Sequence, residues 1–184
     1  MDVQTFPLAG PLLLTPTRHR DERGFLSETW NERTLAGVGV TDRFVQENHT
    51  VSHRRWTVRG LHFQLPPKPM AKLVRVVRGS LLDVAVDVRS GSATFGQHVS
   101  VELSAENWAQ LYIPEGFAHG LCTLEPETEV VYLASHTWDP DLDRGVAWDD
   151  PDLAIPWPVG PDEAVLSPKD RAQPKLADLP PAFG

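Results

Sequence analysis

An antiparallel all-β fold, either a sandwich or a barrel, is predicted from the sequence for three reasons. Proline accounts for 17 of the 184 residues, about twice its usual share, which counts against a helical protein. None of these prolines lies between Pro69 and Pro114, so hydrogen-bonded strands are least obstructed there. Short apolar runs separated by turn residues fill that interval and continue beyond it, as is typical of all-β domains.

Five strands are predicted in this part of the chain, at residues 73–77, 82–88, 96–103, 109–113 and 129–135. The first two form a hairpin around a Gly-Ser turn. In the second strand the even-numbered side chains from Leu82 to Val88 share one face, and Asp83 and Asp87 lie on the other. Helix is predicted only at residues 31–36 and in parts of the C-terminal tail. Residues 1–184 are predicted to form one domain, because neither a repeat nor a long linker divides them.

The charge is distributed unevenly along the chain. There are 17 Lys and Arg against 25 Asp and Glu, a formal net charge of −8, which argues against a nucleic-acid partner. Residues 1–80 carry 12 basic against 7 acidic residues, whereas residues 81–184 carry 5 against 18. We therefore expect a local anion site in the basic half of an otherwise acidic protein.

The sequence predicts neither a signal peptide nor a membrane span. No basic residue precedes Arg18, and prolines interrupt the short leucine run near the start. No stretch approaches the roughly 18 apolar residues that a spanning helix needs. The one cysteine, Cys122, cannot form an intrachain disulfide, which suits a reducing compartment. We expect a cytoplasmic protein with no membrane partner.

Two histidines stand in segments that could carry chemistry. Strand alternation places His62 and Gln64 on one face, and histidine is a natural proton carrier. His119 closes the segment PEGFAH, whose P-x-G-x-x-H spacing resembles the second metal-binding motif of cupins, which are small antiparallel β-barrels. The first cupin motif requires His-x-His and a following Glu, which the sequence lacks at His62. We therefore expect a cupin-type (jelly-roll) barrel without a metal, although a carboxylate from elsewhere could complete a metal site.

Eight stretches in order resemble the dTDP-4-dehydrorhamnose 3,5-epimerases (dTDP-4-keto-6-deoxyglucose epimerases) along nearly the whole chain. They are residues 21–25 (DERGF), 44–49 (FVQENH), 58–64 (VRGLHFQ), 71–75 (AKLVR), 95–97 (FGQ), 103–107 (LSAEN), 113–120 (IPEGFAHG) and 166–170 (LSPKD). The resemblance implies epimerisation at C3 and C5 of dTDP-4-dehydro-6-deoxy-D-glucose, giving dTDP-4-dehydro-L-rhamnose, with no metal or redox cofactor.

The resemblance also implies four catalytic residues. An epimerase that acts beside a ketone needs a base, an acid across the ring and a cation near the keto oxygen. His62 resembles the family's base and Tyr132 its acid, while Lys72 resembles the lysine near the keto group. Asp170 resembles the carboxylate that orients the histidine and stabilises its charged form.

Further positions resemble residues that bind the nucleotide sugar in this family: Arg23, Glu28, Gln46, Asn48, Arg59, His119 and Lys169. Two substrate-binding positions depart from the family pattern. Trp138 stands where relatives often have a tyrosine that stacks on thymine, and its indole keeps the stacking surface. Asp143 stands where many relatives have a glutamate, which is one methylene longer. Relatives are homodimers that exchange N-terminal strands, so we expect the same assembly here.

Three other functions stay open. Some relatives in antibiotic-sugar pathways epimerise only C3 or only C5. A metal-dependent cupin enzyme using His62 and His119 would contain stoichiometric iron, zinc or manganese. A non-catalytic sugar-binding barrel would bind the dTDP-sugar without exchanging its protons with solvent.

Overall fold

The computed structural model describes residues 1–183, which form thirteen β-strands, two short α-helices and one 3₁₀ helix. The strands are β1 (Asp2–Thr5), β2 (Leu12–Thr15), β3 (His19–Asp21), β4 (Gly24–Leu26), β5 (Gln46–Ser52), β6 (Val58–Gln64), β7 (Lys72–Arg78), β8 (Ser80–Asp87), β9 (His98–Ser104), β10 (Gln110–Ile113), β11 (Phe117–Thr123), β12 (Thr128–Ala134) and β13 (Asp143–Gly145). The helices are α1 (Glu32–Ala36), α2 (Pro168–Arg171) and the 3₁₀ helix Leu176–Asp178.

Two antiparallel sheets form the body of the protein. The six-stranded sheet has the order β1-β2-β10-β7-β12-β5, and the five-stranded sheet has the order β13-β6-β11-β8-β9. Strands β3 and β4 form a separate hairpin, and every pair of these strands runs antiparallel. The predicted antiparallel all-β fold with a few short helices is confirmed.

The main core lies between the two sheets. Val74 of β7 and Leu111 of β10 meet Leu81 of β8 and Leu103 of β9, and all four side chains are fully buried. Burying a side chain of this size contributes about 1.5–3 kcal/mol, so the contact between the sheets is a major source of the stability of the fold.

Strand β8 buries both of its faces, although one of them carries Asp83 and Asp87. Val84 and Val86 pack under the C-terminal segment, against Leu153 and Leu176. The opposite face, which carries Asp83, points into the space between the sheets. The predicted alternation is therefore correct, and its polar face supplies the interior of the site rather than the surface.

The short helices begin at side-chain caps. Asn31 accepts hydrogen bonds from the backbone N–H groups of Arg33 and Thr34, so the predicted helix at 31–36 starts one residue later, at Glu32. Ser167 caps α2 by accepting from the backbone N–H of Asp170. Among residues 1–183, none of the helices has the length and apolar character that crossing a membrane requires.

Candidate active site

A cleft of about 510 Å³ opens between the two sheets. One wall comes from the five-stranded sheet and carries His62, and the other comes from the six-stranded sheet and carries Lys72 and Tyr132. An adjoining cavity of about 250 Å³ is lined by the same three side chains and by Lys169, so the two spaces meet at these residues. Twelve of the other residues that line the two cavities are predicted site residues or neighbours of them: Gln46, Asn48, Thr50, Arg59, Gln64, Met70, His119, Trp138, Asp143, Ser167, Lys169 and Asp170.

His62 is held by Asp170 across a long sequence separation. The His62 Nε2 lies 2.6 Å from Asp170 Oδ1, and the Ser167 hydroxyl donates to Asp170 Oδ2 at 2.8 Å. Burial raises the pKa of the Asp170 carboxyl, but the hydrogen bonds from His62 and Ser167 outweigh it and hold that pKa below its usual value. Because the anionic carboxylate accepts a hydrogen bond at His62 Nε2, it favours the tautomer with the proton on Nε2 and leaves Nδ1 as the basic nitrogen.

Gly60 allows strand β6 to pass close to β11 next to this dyad. Its φ of +114° lies in the left-handed region, and a Cβ there would come within 2.6 Å of the Gly120 Cα and of the His119 carbonyl oxygen. The pairing of β6 with β11 shifts register between His119 and Leu121 at the same place. The bulge leaves His62 directly opposite His119, so both rings enter the interior.

A second carboxylate–histidine pair lies behind Lys72. The His119 Nε2 is 2.7 Å from Asp83 Oδ1, and the Lys72 Nζ is 3.5 Å from His119 Nδ1. Burial lowers the pKa of Lys72 to about 8, although the nearby carboxylates of Asp83 and Asp143 oppose that shift. Burial also lowers the pKa of His119, with Asp83 opposing, so this imidazole is neutral at pH 7.

Tyr132 supplies the other titratable group on the wall formed by the six-stranded sheet. Burial raises the pKa of its phenol, which Arg59 partly opposes, so the hydroxyl keeps its proton at neutral pH. The Lys72 ammonium lies 5.9 Å from the centre of the Tyr132 ring. A histidine on one wall and a protonated tyrosine on the other can transfer protons on opposite faces of a molecule bound between them.

Trp138 stands at the mouth of the cleft with 59% of its surface exposed. Its indole N–H donates to Asp143 Oδ2 at 3.2 Å, and its backbone N–H donates to Gln46 Oε1. Lys169 forms an ion pair with the same Asp143 oxygen. Gln46 in turn donates to Asn48 at 3.1 Å. An exposed aromatic face beside a lysine suits a flat ring that carries a phosphate.

Arg59 lines the smaller cavity, but two other predicted binding residues lie outside the cleft. The Arg59 guanidinium donates to Ser52 and to the Val51 carbonyl. Arg23 is 84% exposed on the β3–β4 hairpin and pairs with Asp21. Glu28 is also exposed and accepts hydrogen bonds from Asn31 and Thr34 at the start of α1. Within a single chain, the hairpin residues do not reach the other predicted site residues.

Asp83, Ser167, Thr50 and Met70 belong to the site or support it and were not predicted. For Asp83 the sequence held a signal, because a charged residue inside an apolar strand needs a partner in the fold. Within residues 1–183, no three His, Cys, Asp or Glu side chains come together as metal ligands.

An antiparallel double-sheet barrel with a histidine–aspartate pair and a protonated tyrosine on opposite walls of its cleft belongs to the class of cupin-type barrels with side chains suited to proton transfer. The profile of the dTDP-4-dehydrorhamnose 3,5-epimerase family matches residues 5–178, and the chain belongs to that family.

Similar proteins agree with this assignment. A dTDP-4-dehydrorhamnose 3,5-epimerase of Sinorhizobium fredii is 46% identical over 187 residues, covering 100% of this chain and 93% of the relative. The crystal structure of dTDP-6-deoxy-D-glucose-3,5-epimerase from Legionella pneumophila, in complex with dTDP-4-keto-L-rhamnose, has a TM-score of 0.93 at 38% identity, covering 100% of this chain and 98% of that one. A dTDP-4-dehydrorhamnose 3-epimerase of Streptomyces niveus is 37% identical, covering 97% of this chain and 85% of the relative.

Proposed function

We propose that this protein converts dTDP-4-dehydro-6-deoxy-D-glucose to dTDP-4-dehydro-L-rhamnose by inverting C3 and C5. The observation that carries the proposal is the position of His62, held by Asp170 on one wall of the cleft, relative to Tyr132 and Lys72 on the other. Both reacting carbons are adjacent to the C4 ketone, so one enolate site can serve both inversions.

His62 acts as the base. Because Asp170 occupies Nε2, the free Nδ1 removes the proton from the carbon beside the ketone. The electron pair of the broken C–H bond forms an enolate, and the buried Asp170 carboxylate stabilises the imidazolium that results. The Lys72 ammonium stabilises the charge that develops on the C4 oxygen.

Tyr132 acts as the acid. It donates its phenolic proton to the same carbon from the opposite face, which forms a new C–H bond of inverted configuration. The imidazolium and the phenolate then exchange protons with solvent and regain their starting states. Deuterium from heavy water therefore enters the product at each inverted carbon.

The mouth of the cleft binds the nucleotide part of the substrate. The exposed indole of Trp138 stacks on the thymine, and Asp143 orients that indole through its N–H. Lys169 lies beside it, Arg59 lines the adjoining cavity, and both bind the diphosphate, which suits cationic side chains. Gln46 and Asn48 bind sugar and phosphate oxygens from the cleft wall, while His119 lies behind Lys72 and contacts it.

The test is NMR of dTDP-4-dehydro-6-deoxy-D-glucose with the protein in heavy water, with and without a downstream reductase that traps the product. We expect deuterium at C3 and C5 and the L-rhamno configuration after reduction. His62→Ala is expected to fold and to lose both exchanges. Undiminished exchange in that variant would contradict the role given to His62.

A single-site reaction is the second candidate, since the Streptomyces niveus relative is a 3-epimerase. The same NMR experiment separates the two functions. Deuterium at C3 alone, with C5 unlabelled and not inverted, establishes the single-site reaction in place of the double one.

The working unit is a homodimer in which the N-terminal segment reaches the partner's cleft. Two observations support this arrangement: Arg23 and Glu28 lie outside the cleft of their own chain, and Phe25 and Leu26 on the same hairpin are 47% and 74% exposed. Covering two large apolar side chains is a typical role of an interface.

Mixed dimers test the exchange directly. Arg23→Ala and His62→Ala proteins are each expected to be weakly active or inactive. In a heterodimer of the two, one cleft combines an intact His62 with an intact Arg23, so random mixing restores about a quarter of the wild-type sites. Absence of any gain on mixing, with dimers verified by light scattering, would place Arg23 in its own chain's site.

A further inference from the structure

The fully buried Asp83 differs from the other fully buried carboxylate on its strand. Asp87 lies on the same face of β8, four residues further on, and its two oxygens accept hydrogen bonds from Arg89, Ser92 and Thr94. Asp83 makes one hydrogen bond, to His119, and its Oδ2 has no hydrogen-bond partner among residues 1–183. Burying a carboxylate with one oxygen unpartnered costs stability. A purely structural role therefore does not explain why an aspartate stands at position 83.

Asp83, His119 and Lys72 form one chain of contacts. Since a carboxylate accepts hydrogen bonds, the His119 Nε2 at 2.7 Å from Asp83 carries the ring proton. The neutral ring then has its lone pair on Nδ1, which faces the Lys72 Nζ at 3.5 Å. The ammonium of Lys72 is a suitable donor to that nitrogen, and the opposite tautomer would place two N–H donors face to face.

We propose that Asp83 is a positioning residue that acts through His119: it fixes the Nε2–H tautomer of His119 and keeps Lys72 charged and aimed at the substrate's keto oxygen. The proposal rests on the proposed function, in which Lys72 stabilises the enolate. Loss of the Asp83 charge removes the largest compensation for a lysine that burial already disfavours as a cation. The other titratable and charged groups around Lys72 stay in place in that variant: His62 on β6, Tyr132 on β12, His119 on β11, Asp143 on β13 and Lys169 on α2.

The first test uses the wild-type protein without substrate, so its result does not depend on the enzyme's activity. Two-bond ¹H–¹⁵N correlation spectra of ¹⁵N-histidine-labelled protein report the tautomer of each ring, and the signal missing in His119→Gln assigns His119. At pH 7 we expect a protonated Nε2 and an unprotonated Nδ1. A protonated Nδ1, whether as the other tautomer or as imidazolium, overturns the proposal.

The second test is the pH dependence of kcat in Asp83→Asn, with Asp87→Asn as the matched control. If loss of the neighbouring charge lowers the pKa of Lys72 from about 8 by one pH unit, the charged fraction at pH 8 falls about fivefold and that at pH 6 hardly changes. We therefore expect the ratio of variant to wild-type kcat to be about five times lower at pH 8 than at pH 6, with KM little affected.

Asp87→Asn is expected to lower thermal stability while its ratio to wild type stays the same at the two pH values. A ratio for Asp83→Asn that is equally flat shows a merely structural role and overturns the proposal. If Asp83→Asn does not fold, as judged by circular dichroism, the tautomer measurement decides. Absence of epimerase activity in the wild type would refute the proposed function and leave the tautomer result standing.

Discussion

His62 and His119 lie directly opposite each other on the paired strands β6 and β11, and each presents its Nε2 to a different aspartate. Their surroundings divide their roles. The His62 side chain is 29% exposed and faces the cleft, whereas that of His119 is 9% exposed and contacts Lys72. The His62–Asp170 pair can therefore act as a base towards a molecule in the cleft, whereas the His119–Asp83 pair can support the Lys72 cation.

Asp170→Asn is expected to reduce kcat by about 10³-fold with little change in KM. An amide can donate to Nε2, which would move the ring proton to Nδ1 and block the nitrogen that removes the substrate proton. Steady-state kinetics coupled to the downstream reductase measures the loss. Ser167→Ala, which removes the hydroxyl that supports Asp170 and caps α2 but keeps the carboxylate, is expected to lose about tenfold. Equal losses in the two variants would contradict the tautomer argument.

Tyr132→Phe is expected to separate proton exchange from inversion. His62 can still remove a proton and return a deuteron to the same face, whereas delivery from the opposite face requires the phenol. In heavy water we expect the substrate to gain deuterium while inverted product forms at least 10²-fold more slowly. NMR follows both events in one sample, and normal inversion in this variant would show that another group is the acid.

The strands β7–β10 and β12 were predictable from the alternation of side-chain types along each strand. Successive side chains point to opposite faces, and both faces of these strands are buried or half-buried. Strand β5 was not predicted. Its sequence QENHTVS is polar on both faces, because one face lines the cleft and the other is exposed. A strand built to bind a polar ligand lacks the apolar repeat on which such predictions depend.

The site was only partly predictable, and the reason is register. The sequence shows that Asp83 lies on the face of β8 that does not carry the valines. Its contact with His119, however, follows only from the pairing of β8 with β11. The pairing of His62 with Asp170 joins residues 108 positions apart, and it was expected only because both positions resemble those of a known family. Local chemistry shows which residues need partners, but identifying the partner requires the fold or a family resemblance.

Asp87→Asn is expected to destabilise the protein by about 2 kcal/mol at pH 7. Burial raises the pKa of Asp87, but hydrogen bonds from Arg89, Thr94 and Ser92 outweigh it and leave the pKa well below its usual value. Since the folded pKa is the lower one, the carboxylate contributes its stability above the unfolded pKa of about 3.9 and loses it as pH falls towards the folded pKa. The Tm values of the variant and the wild type should therefore differ most at pH 6–8 and should begin to converge as the pH falls below about 4. A constant difference down to pH 3 would contradict this assignment.

Gly60→Ala is expected to cost about 3 kcal/mol, because the new methyl group would meet the backbone of β11 while φ stays at +114°. Gly39→Ala is the matched control, since Gly39 has a φ of +91° and open space around its Cα. That variant carries the conformational cost alone, about 1 kcal/mol. Differential scanning calorimetry should show a decrease in Tm of about 9 °C for Gly60→Ala against about 3 °C for the control. Because His62 lies two residues along the same strand, the first variant should also lose activity and the second should not. Equal decreases in Tm would mean that β6 and β11 can separate without cost, and the close approach of the two strands would then not be what holds His62 opposite His119.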